Sequence, residues 1–132
     1  MSISVVIVDD DKDTVAVFAE YMKLKGFNVL ATGNDGKEAV ELYEKHRPDV
    51  ILSDLMMPVY DGFYGIKNIQ KNHPDAKIIL VTADLSDETL EKINSCGISG
   101  LIYKPYEIEN VVKTVNQVVN GEKTELPSMT KS

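Results

Sequence analysis

Five side chains with useful chemistry stand where short apolar runs of this chain end: Asp9, Asp10, Asp54, Thr82 and Lys104. Carboxylates gathered in one crevice repel one another and lose hydration, so folding alone does not favour such a cluster. A hard divalent cation such as Mg²⁺ removes the repulsion, because it binds carboxylates and takes its other ligands from water and phosphate oxygens. A hydroxyl and an ammonium group bind phosphoryl oxygens. If the fold brings these residues together, they predict phosphoryl transfer onto an aspartate.

The apolar runs predict strands buried on both faces of a parallel sheet, because they are short, continuous and rich in β-branched residues. The run 50–52 leads to the carboxylate of Asp54, and Pro58, four residues later, cannot continue a ladder. The five predicted strands are Val5–Val8, Asn28–Thr32 (the weakest), Val50–Leu52, Ile78–Val81 and Leu101–Tyr103.

Between these runs the apolar residues follow a helical period, which predicts five helices. We place them from Thr14 to Gly26, from Gly36 to Pro48, from Phe63 to His73, from a cap at Ser86 to Gly97, and over Ile108–Val119. Asp11 or Asp13 caps the first helix. Strands alternating with helices of this length form one α/β domain, a parallel sheet with helices on both faces. Right-handed connections put the carboxyl ends of all strands on one edge, where such sheets bind ligands.

Composition narrows the class of protein. The 132 residues suffice for one domain, which we place at residues 1–121, with a polar tail or linker stub at 122–132. The net charge of −7 argues against a free-standing nucleic-acid binder. The single cysteine, Cys96, cannot form an internal disulfide and fits a reducing compartment. Because we find no apolar run of membrane-spanning length and no signal-peptide pattern, we expect a cytoplasmic protein.

Taken together, these motifs resemble the response-regulator receiver domain of two-component signalling, from about residue 3 to residue 120. The resemblance rests on the acidic pair after the first strand, D-x-x-M-P at Asp54–Pro58, Gly62, V-T-A at Val81–Ala83, and Lys104-Pro105. It implies a flavodoxin-like (βα)5 three-layer sandwich with strand order 2-1-3-4-5. It also implies a CheY-like signalling switch that promotes only its own phosphorylation and dephosphorylation, and not a separate enzyme.

The resemblance further implies roles for the matched residues. Asp54 would accept the phosphoryl group from a histidine kinase or a histidine phosphotransfer protein. Asp9, Asp10, Asp54 and the backbone carbonyl of Met56 would hold Mg²⁺. Thr82 and Lys104 would bind phosphoryl oxygens, and the Lys104-Pro105 peptide would be cis.

The sequence departs from the family pattern three residues before the lysine. Family members commonly carry Tyr or Phe there, whereas this chain has Leu101, so output through a rotating ring is not available from that position. We interpret the neighbouring Tyr103 and Tyr106 as packing residues. Met56 and Asp84 lie where the family sets access of the hydrolytic water, and the apolar Met56 predicts a long-lived phosphoryl group.

Three other classes match parts of the sequence. Asp9-x-Asp11-x-Asp13 resembles a calcium-binding EF-hand loop, but Thr14 replaces the turn glycine and a strand precedes it. Asp11-x-Asp13-x-Val15 resembles the motif of haloacid-dehalogenase-type phosphohydrolases, which remains the alternative function, although its register relative to the strand is wrong. A flavodoxin is disfavoured, because acids stand where the FMN phosphate would bind.

The output of the switch is less specified than its chemistry. We expect phosphorylation to act on the face formed by the fourth helix, fifth strand and fifth helix, where an unidentified downstream protein would bind. No effector pattern follows Asn120, so we expect no direct nucleic-acid binding by this chain and no membrane contact. A stand-alone regulator, a phosphorelay intermediate and a receiver from a longer protein all stay open, as does a homodimer formed on activation.

Overall fold

Strands and helices alternate along residues 2–122, the part of the chain that this computed structural model describes. The strands are β1 (Ser4–Val8), β2 (Asn28–Gly33), β3 (Val50–Asp54), β4 (Ile78–Thr82) and β5 (Gly100–Tyr103). The helices are α1 (Lys12–Leu24), α2 (Gly36–His46), α3 (Gly62–Asn72), α4 (Asp87–Cys96) and α5 (Ile108–Val119). All neighbouring strands pair in parallel in the order 2-1-3-4-5, which confirms the predicted flavodoxin-like architecture. Each helix in this part of the chain is too short or too polar to cross a bilayer.

Several helix boundaries differ from the prediction by one or two residues, and two of these differences have clear local reasons. Helix α1 begins at Lys12, two residues early, because the Asp11 carboxylate accepts hydrogen bonds from the amides of Asp13 and Thr14 and so caps it. Helix α2 ends before Pro48, because Arg47 adopts a left-handed conformation with φ of 45°. The predicted tail lies outside the described residues except for Glu122.

The core consists of two apolar layers, one on each face of the sheet. Successive side chains of a strand point to opposite faces, so Val5 and Ile7 pack with α1 and α5, whereas Val6 and Val8 pack with α2, α3 and α4. Burial of each such side chain contributes about 1.5–3 kcal/mol. Because helices cover both faces, the strands form a rigid platform, and their carboxyl ends hold whatever follows them in place.

The loop after β3 is held tightly against the strand end. The Gly62 amide donates a hydrogen bond to the Leu55 carbonyl oxygen at 2.8 Å. A Cβ atom at Gly62 would lie 2.7 Å from the Asp54 carbonyl oxygen, so only glycine permits this approach. The Asp61 carboxylate caps α3 by accepting from the Tyr64 amide. Residues 55–61 are therefore anchored at both ends beside Asp54.

Candidate functional site

The fold brings the five predicted side chains to one edge of the sheet. Asp9 directly follows β1, Asp54 and Thr82 are the last residues of β3 and β4, and Lys104 directly follows β5. Asp9, Asp54 and Thr82 are buried, with exposed fractions of 5%, 8% and 1%, while Asp10 is exposed. Buried polar groups are rare without a compensating partner, so this edge is the natural place to look for chemistry.

Three carboxylates crowd together there. Asp9, Asp10 and Asp54 each place one oxygen within 4.8 Å of the others. Burial raises the pKa of Asp54; the charge of Lys104 opposes this rise and the charge of Asp9 adds to it. Oxygen donors with excess negative charge are the set that a hard divalent cation prefers. The donor chemistry therefore fits Mg²⁺.

One lysine is shared between two of these acids. The Lys104 Nζ atom lies 3.2 Å from Asp9 Oδ2 and 3.4 Å from Asp54 Oδ1. Desolvation is the largest single effect on Lys104 and lowers its pKa, but Asp54 and Asp9 together outweigh it and raise the pKa. The Lys104 side chain therefore stays protonated, and its positive charge lies beside Asp54. The Lys104-Pro105 peptide is cis, as the family resemblance implies.

Backbone hydrogen bonds orient the two buried carboxylates. The Leu55 amide donates to Asp54 Oδ1 at 2.8 Å, and the Asp11 amide donates to Asp9 Oδ1 at 2.9 Å. The side-chain amide of Asn34 donates to the Asp9 carbonyl oxygen at 3.1 Å and ties the β2–α2 loop to this edge. Such contacts hold the acids in place without cancelling their charge.

A chain of hydrogen bonds leads from Thr82 into α4. The Asp84 amide donates to Thr82 Oγ1 at 3.0 Å. The Asp84 carboxylate accepts from the Ser86 amide at 3.0 Å and from the Thr89 hydroxyl at 2.7 Å. These bonds, the Ser86 amide first, lower the pKa of Asp84. Thr89 was not identified from sequence; its only signal is its place three residues after the helix cap Ser86.

The residues flanking the site divide into buried and exposed ones. Leu101 is half-buried in the apolar layer of α2, α3 and α4. Tyr106 packs its ring 5.2 Å from that of Phe18, which confirms its packing role. Tyr103 is 39% exposed, so the prediction that it packs is wrong, because the same apolar layer ends before it. Met56 exposes 62% of its surface in the loop after Asp54, and the ligand role of its carbonyl stays a prediction.

The geometry counts against the competing motif matches. The nucleophile of the phosphohydrolase motif would be Asp11, but this carboxylate is exposed and caps α1. The EF-hand reading needs a loop from Asp9 onward, whereas α1 begins at Lys12. The two literal motifs are thus explained by the start of a helix.

Comparison with known proteins agrees with this geometry. The family described as "Response regulator receiver domain" matches residues 5–116. Chemotaxis protein CheY of Bacillus subtilis is 29% identical over 120 residues, which cover 91% of this chain and the whole of that protein. Transcriptional regulatory protein DegU of Brevibacillus brevis is 32% identical over 124 residues, 90% of this chain but 51% of that protein. The chain thus spans one relative fully and about half of the other.

A solved structure is similar to this chain in fold and in sequence. The crystal structure of the CheX–CheY–BeF3–Mg complex from Borrelia burgdorferi contains a chain that superposes with a TM-score of 0.81 at 30% identity. The match covers 88% of each chain. The similarity therefore extends over nearly the whole of the five-stranded architecture described above.

Proposed function

Because this chain belongs to the response regulator receiver domain family, we propose that its Asp54 accepts a phosphoryl group from a phosphohistidine. The donor is a histidine kinase or a histidine phosphotransfer protein, and the receiver occupies residues 1–121. The observation that carries the proposal is the buried Asp54 carboxylate with the Lys104 ammonium 3.4 Å away, in a crevice at the strand ends. A positioned cation beside a nucleophilic carboxylate is what the approach of an anionic phosphoryl group requires.

Asp9, Asp10 and Asp54 would hold Mg²⁺, together with the backbone carbonyl of Met56. The support is the donor set itself, three carboxylates with oxygens within 4.8 Å of one another. When bound, the cation supplies neutralisation of the charge on the phosphoryl oxygens. Lys104 supplies a further positive charge, because its side chain ends in a compact ammonium group with three hydrogen-bond donors.

The transfer is a balanced exchange of two bonds. A carboxylate oxygen of Asp54 forms a bond to phosphorus as the phosphorus–nitrogen bond of the donor breaks, and the electron pair returns to the imidazole ring. The Lys104 ammonium and the Thr82 hydroxyl donate hydrogen bonds to phosphoryl oxygens. The product carries about −1.5 to −2 charge on Asp54. One chain takes one phosphoryl group, so the protein acts as a switch.

We place the output on the face formed by α4, β5 and α5. Thr82 and Lys104 stand at the ends of β4 and β5, so their engagement by the new phosphoryl group acts first on the elements that follow them. Tyr103 presents 39% of its surface on this face and is available to a downstream protein. A coupling of about 1–3 kcal/mol between the site and this surface is typical of such switches. A homodimer formed on activation would form through the same face.

Acetyl phosphate with Mg²⁺ tests the proposal directly. We expect intact-protein mass spectrometry to show addition of one phosphoryl group, and peptide mapping to place it on Asp54. Omission of Mg²⁺ should suppress the reaction. Labelling of another residue, or repeated turnover of an added phosphomonoester, would contradict it; repeated turnover would favour the phosphohydrolase class. For the output face, a Tyr103→Ala variant should weaken partner binding, and an unchanged titration would argue against that surface.

A further inference from the structure

The loop between β4 and α4 carries more polar contacts than a connection requires. It begins at Thr82, whose Oγ1 atom accepts a hydrogen bond from the Asp84 amide at 3.0 Å. The Asp84 carboxylate then accepts from the Ser86 amide with one oxygen and from the Thr89 hydroxyl with the other. Thr82 and Thr89 are both buried, at 1% and 8% exposed. A continuous path of hydrogen bonds therefore joins the strand-end hydroxyl to the first turn of α4.

Helix α4 has fewer buried side chains than α5 with which to pack against the sheet. Only two of its side chains, Thr89 and Ile93, are buried. Helix α5, by comparison, buries Val111, Val115 and Val118, in addition to one threonine. Because a polar side chain provides half of the buried anchors of α4, its hydrogen bond to Asp84 contributes to where this helix sits on the sheet.

The chemistry of the path suits an oriented hydroxyl. A hydroxyl has one hydrogen to donate, and its oxygen accepts as well. Because the Asp84 amide donates to Thr82 Oγ1, the Thr82 hydrogen remains to be donated to a phosphoryl oxygen. A carboxylate at position 84 accepts from an amide and a hydroxyl simultaneously, since an ionised carboxylate only accepts. The lowered pKa of Asp84 agrees with an ionised group in this role.

Because Leu101 offers no polar group, the hydrogen bonds through Asp84 and Thr89 form a polar route from the site to α4 that does not involve position 101. The Leu101 side chain is apolar, half-buried and unable to exchange hydrogen bonds with Thr82. We propose that Asp84 and Thr89 are positioning residues, which orient the Thr82 hydroxyl toward the phosphoryl group and transmit its engagement to α4. The inference rests on the proposed function, because it assigns the regulation of that same site.

The test uses beryllium fluoride with Mg²⁺ as a phosphoryl mimic on the full, ¹⁵N-labelled chain. In the wild type we expect amide shifts near Asp54 and along α4. Thr89→Val removes the hydroxyl at nearly constant shape. We expect it to weaken the apparent affinity for the mimic roughly two- to tenfold, and to reduce the α4 shifts while the shifts near Asp54 persist. Thr89→Ser, which keeps the hydroxyl, should restore both.

The matched control is Thr114→Val in α5. Thr114 is also 8% exposed, but its hydroxyl donates to the Asn110 carbonyl of its own helix. It should respond to the mimic as the wild type does. If Thr89→Val does not fold, Asp84→Ala removes the same hydrogen bond from the side of the loop. This variant should show the same loss of affinity and of α4 shifts.

The outcomes separate the two proposals. An α4 response and an affinity in Thr89→Val equal to those of Thr114→Val would overturn the positioning role and leave the proposed function intact. A wild type that shows no shifts near Asp54 with the mimic would overturn the proposed function, and the positioning role with it. Loss of the α4 response in Thr89→Val, with rescue by Thr89→Ser, supports the inference.

Discussion

Aspartate side chains have opposite environments at the two edges of the sheet. At the amino edge, the Ser4 amide donates to Asp49 Oδ2 at 2.8 Å, and the Asp49 amide donates to Ser4 Oγ at 2.9 Å. The Asp49 carboxylate therefore accepts from a neutral amide, and Asp49 remains exposed. At the carboxyl edge, Asp9 and Asp54 are buried beside each other and share the Lys104 ammonium.

From this difference we expect Asp49 to act in folding, and Asp9 and Asp54 to act in the proposed binding of a cation and a phosphoryl group. Asp49 fastens the start of β1 to the start of β3, and a neutral acceptor could do the same. Burial of clustered carboxylates opposes folding in the absence of a cation. The carboxyl edge therefore holds a repulsion between carboxylates that a bound cation would relieve.

The largest expected effect comes from changing one acid at each edge. Asp54→Asn should lower labelling by acetyl phosphate and Mg²⁺ at least about a hundredfold, because the amide is not a nucleophile. Asp49→Asn should label like the wild type, since an amide oxygen still accepts from the Ser4 amide. Intact-protein mass spectrometry measures both variants. Equal labelling of the two would erase the functional distinction between the edges.

Lys104→Met tests whether the shared charge acts in the transfer. The variant keeps an unbranched side chain but removes the ammonium that lies 3.4 Å from Asp54. We expect the rate of labelling to fall about a hundredfold, the lower end of the range for loss of one electrostatic donor. Lys25→Met, at the other edge, is the control for loss of a lysine. A rate within experimental error of the control would assign Lys104 to folding alone.

Binding of a cation at the carboxyl edge should raise the free energy of unfolding of the protein. Mg²⁺ at ten times its dissociation constant should stabilise the wild type by about 1.4 kcal/mol. Asp10→Asn should need roughly tenfold more Mg²⁺ for the same rise in Tm, because it removes one oxygen donor of the cluster. Thermal denaturation across a Mg²⁺ series measures this. A wild type indifferent to Mg²⁺ would show that the cluster binds no such cation.

The pH dependence of stability tests the cost of burying Asp54. Burial raises its pKa above the ordinary value of 3.8. Its contribution to stability is therefore fully present below 3.8 and is lost as the pH rises through the raised folded-state pKa. Without metal, Asp54→Asn should have a higher Tm than the wild type at neutral pH, with the gap shrinking toward acid pH.

Addition of Mg²⁺ provides the check on that sign. The cation favours the ionised wild type and should narrow or reverse the gap with Asp54→Asn. A gap that grows as the pH falls would mean that the Lys104 charge outweighs burial. Circular dichroism melts over the acid-to-neutral range, with and without Mg²⁺, distinguish the two results.

The smallest effect concerns backbone strain at the two edges. The left-handed turn after α1 is occupied by Gly26, with φ of 93°, whereas the loop beside Asp54 has Val59 at φ of 66° and 90% exposed. Val59→Gly should stabilise by about 1 kcal/mol, because a β-branched residue is strained there. Gly26→Ala should destabilise by about as much, since nothing lies within 4 Å of a Cβ there and only the backbone opposes it. Urea denaturation measures the free energy of unfolding of both variants. A Val59→Gly variant less stable than the wild type would contradict backbone strain at Val59.

Much of the fold followed from local pattern. Runs such as 5–8 and 78–81 predicted strands buried on both faces, and both are buried throughout. Ser86 was predicted as a cap and is one. The errors arose where cover depends on distant elements. Leu101 and Tyr103 point to the same face, as residues two apart in a strand do, yet the helical layer covers the first and leaves the second exposed.

By itself, the sequence determined the order of the strands along the chain and which chemical groups stand at their ends, because hydrophobic period and turn residues act between neighbours in sequence. Only the tertiary structure decided that Lys104 is shared by Asp9 and Asp54, that Thr89 reaches Asp84, and that Val59 takes a left-handed turn. These depend on distances across the sheet and on packing between elements far apart in the chain, and hydrogen bonding and charge interactions change steeply over such distances.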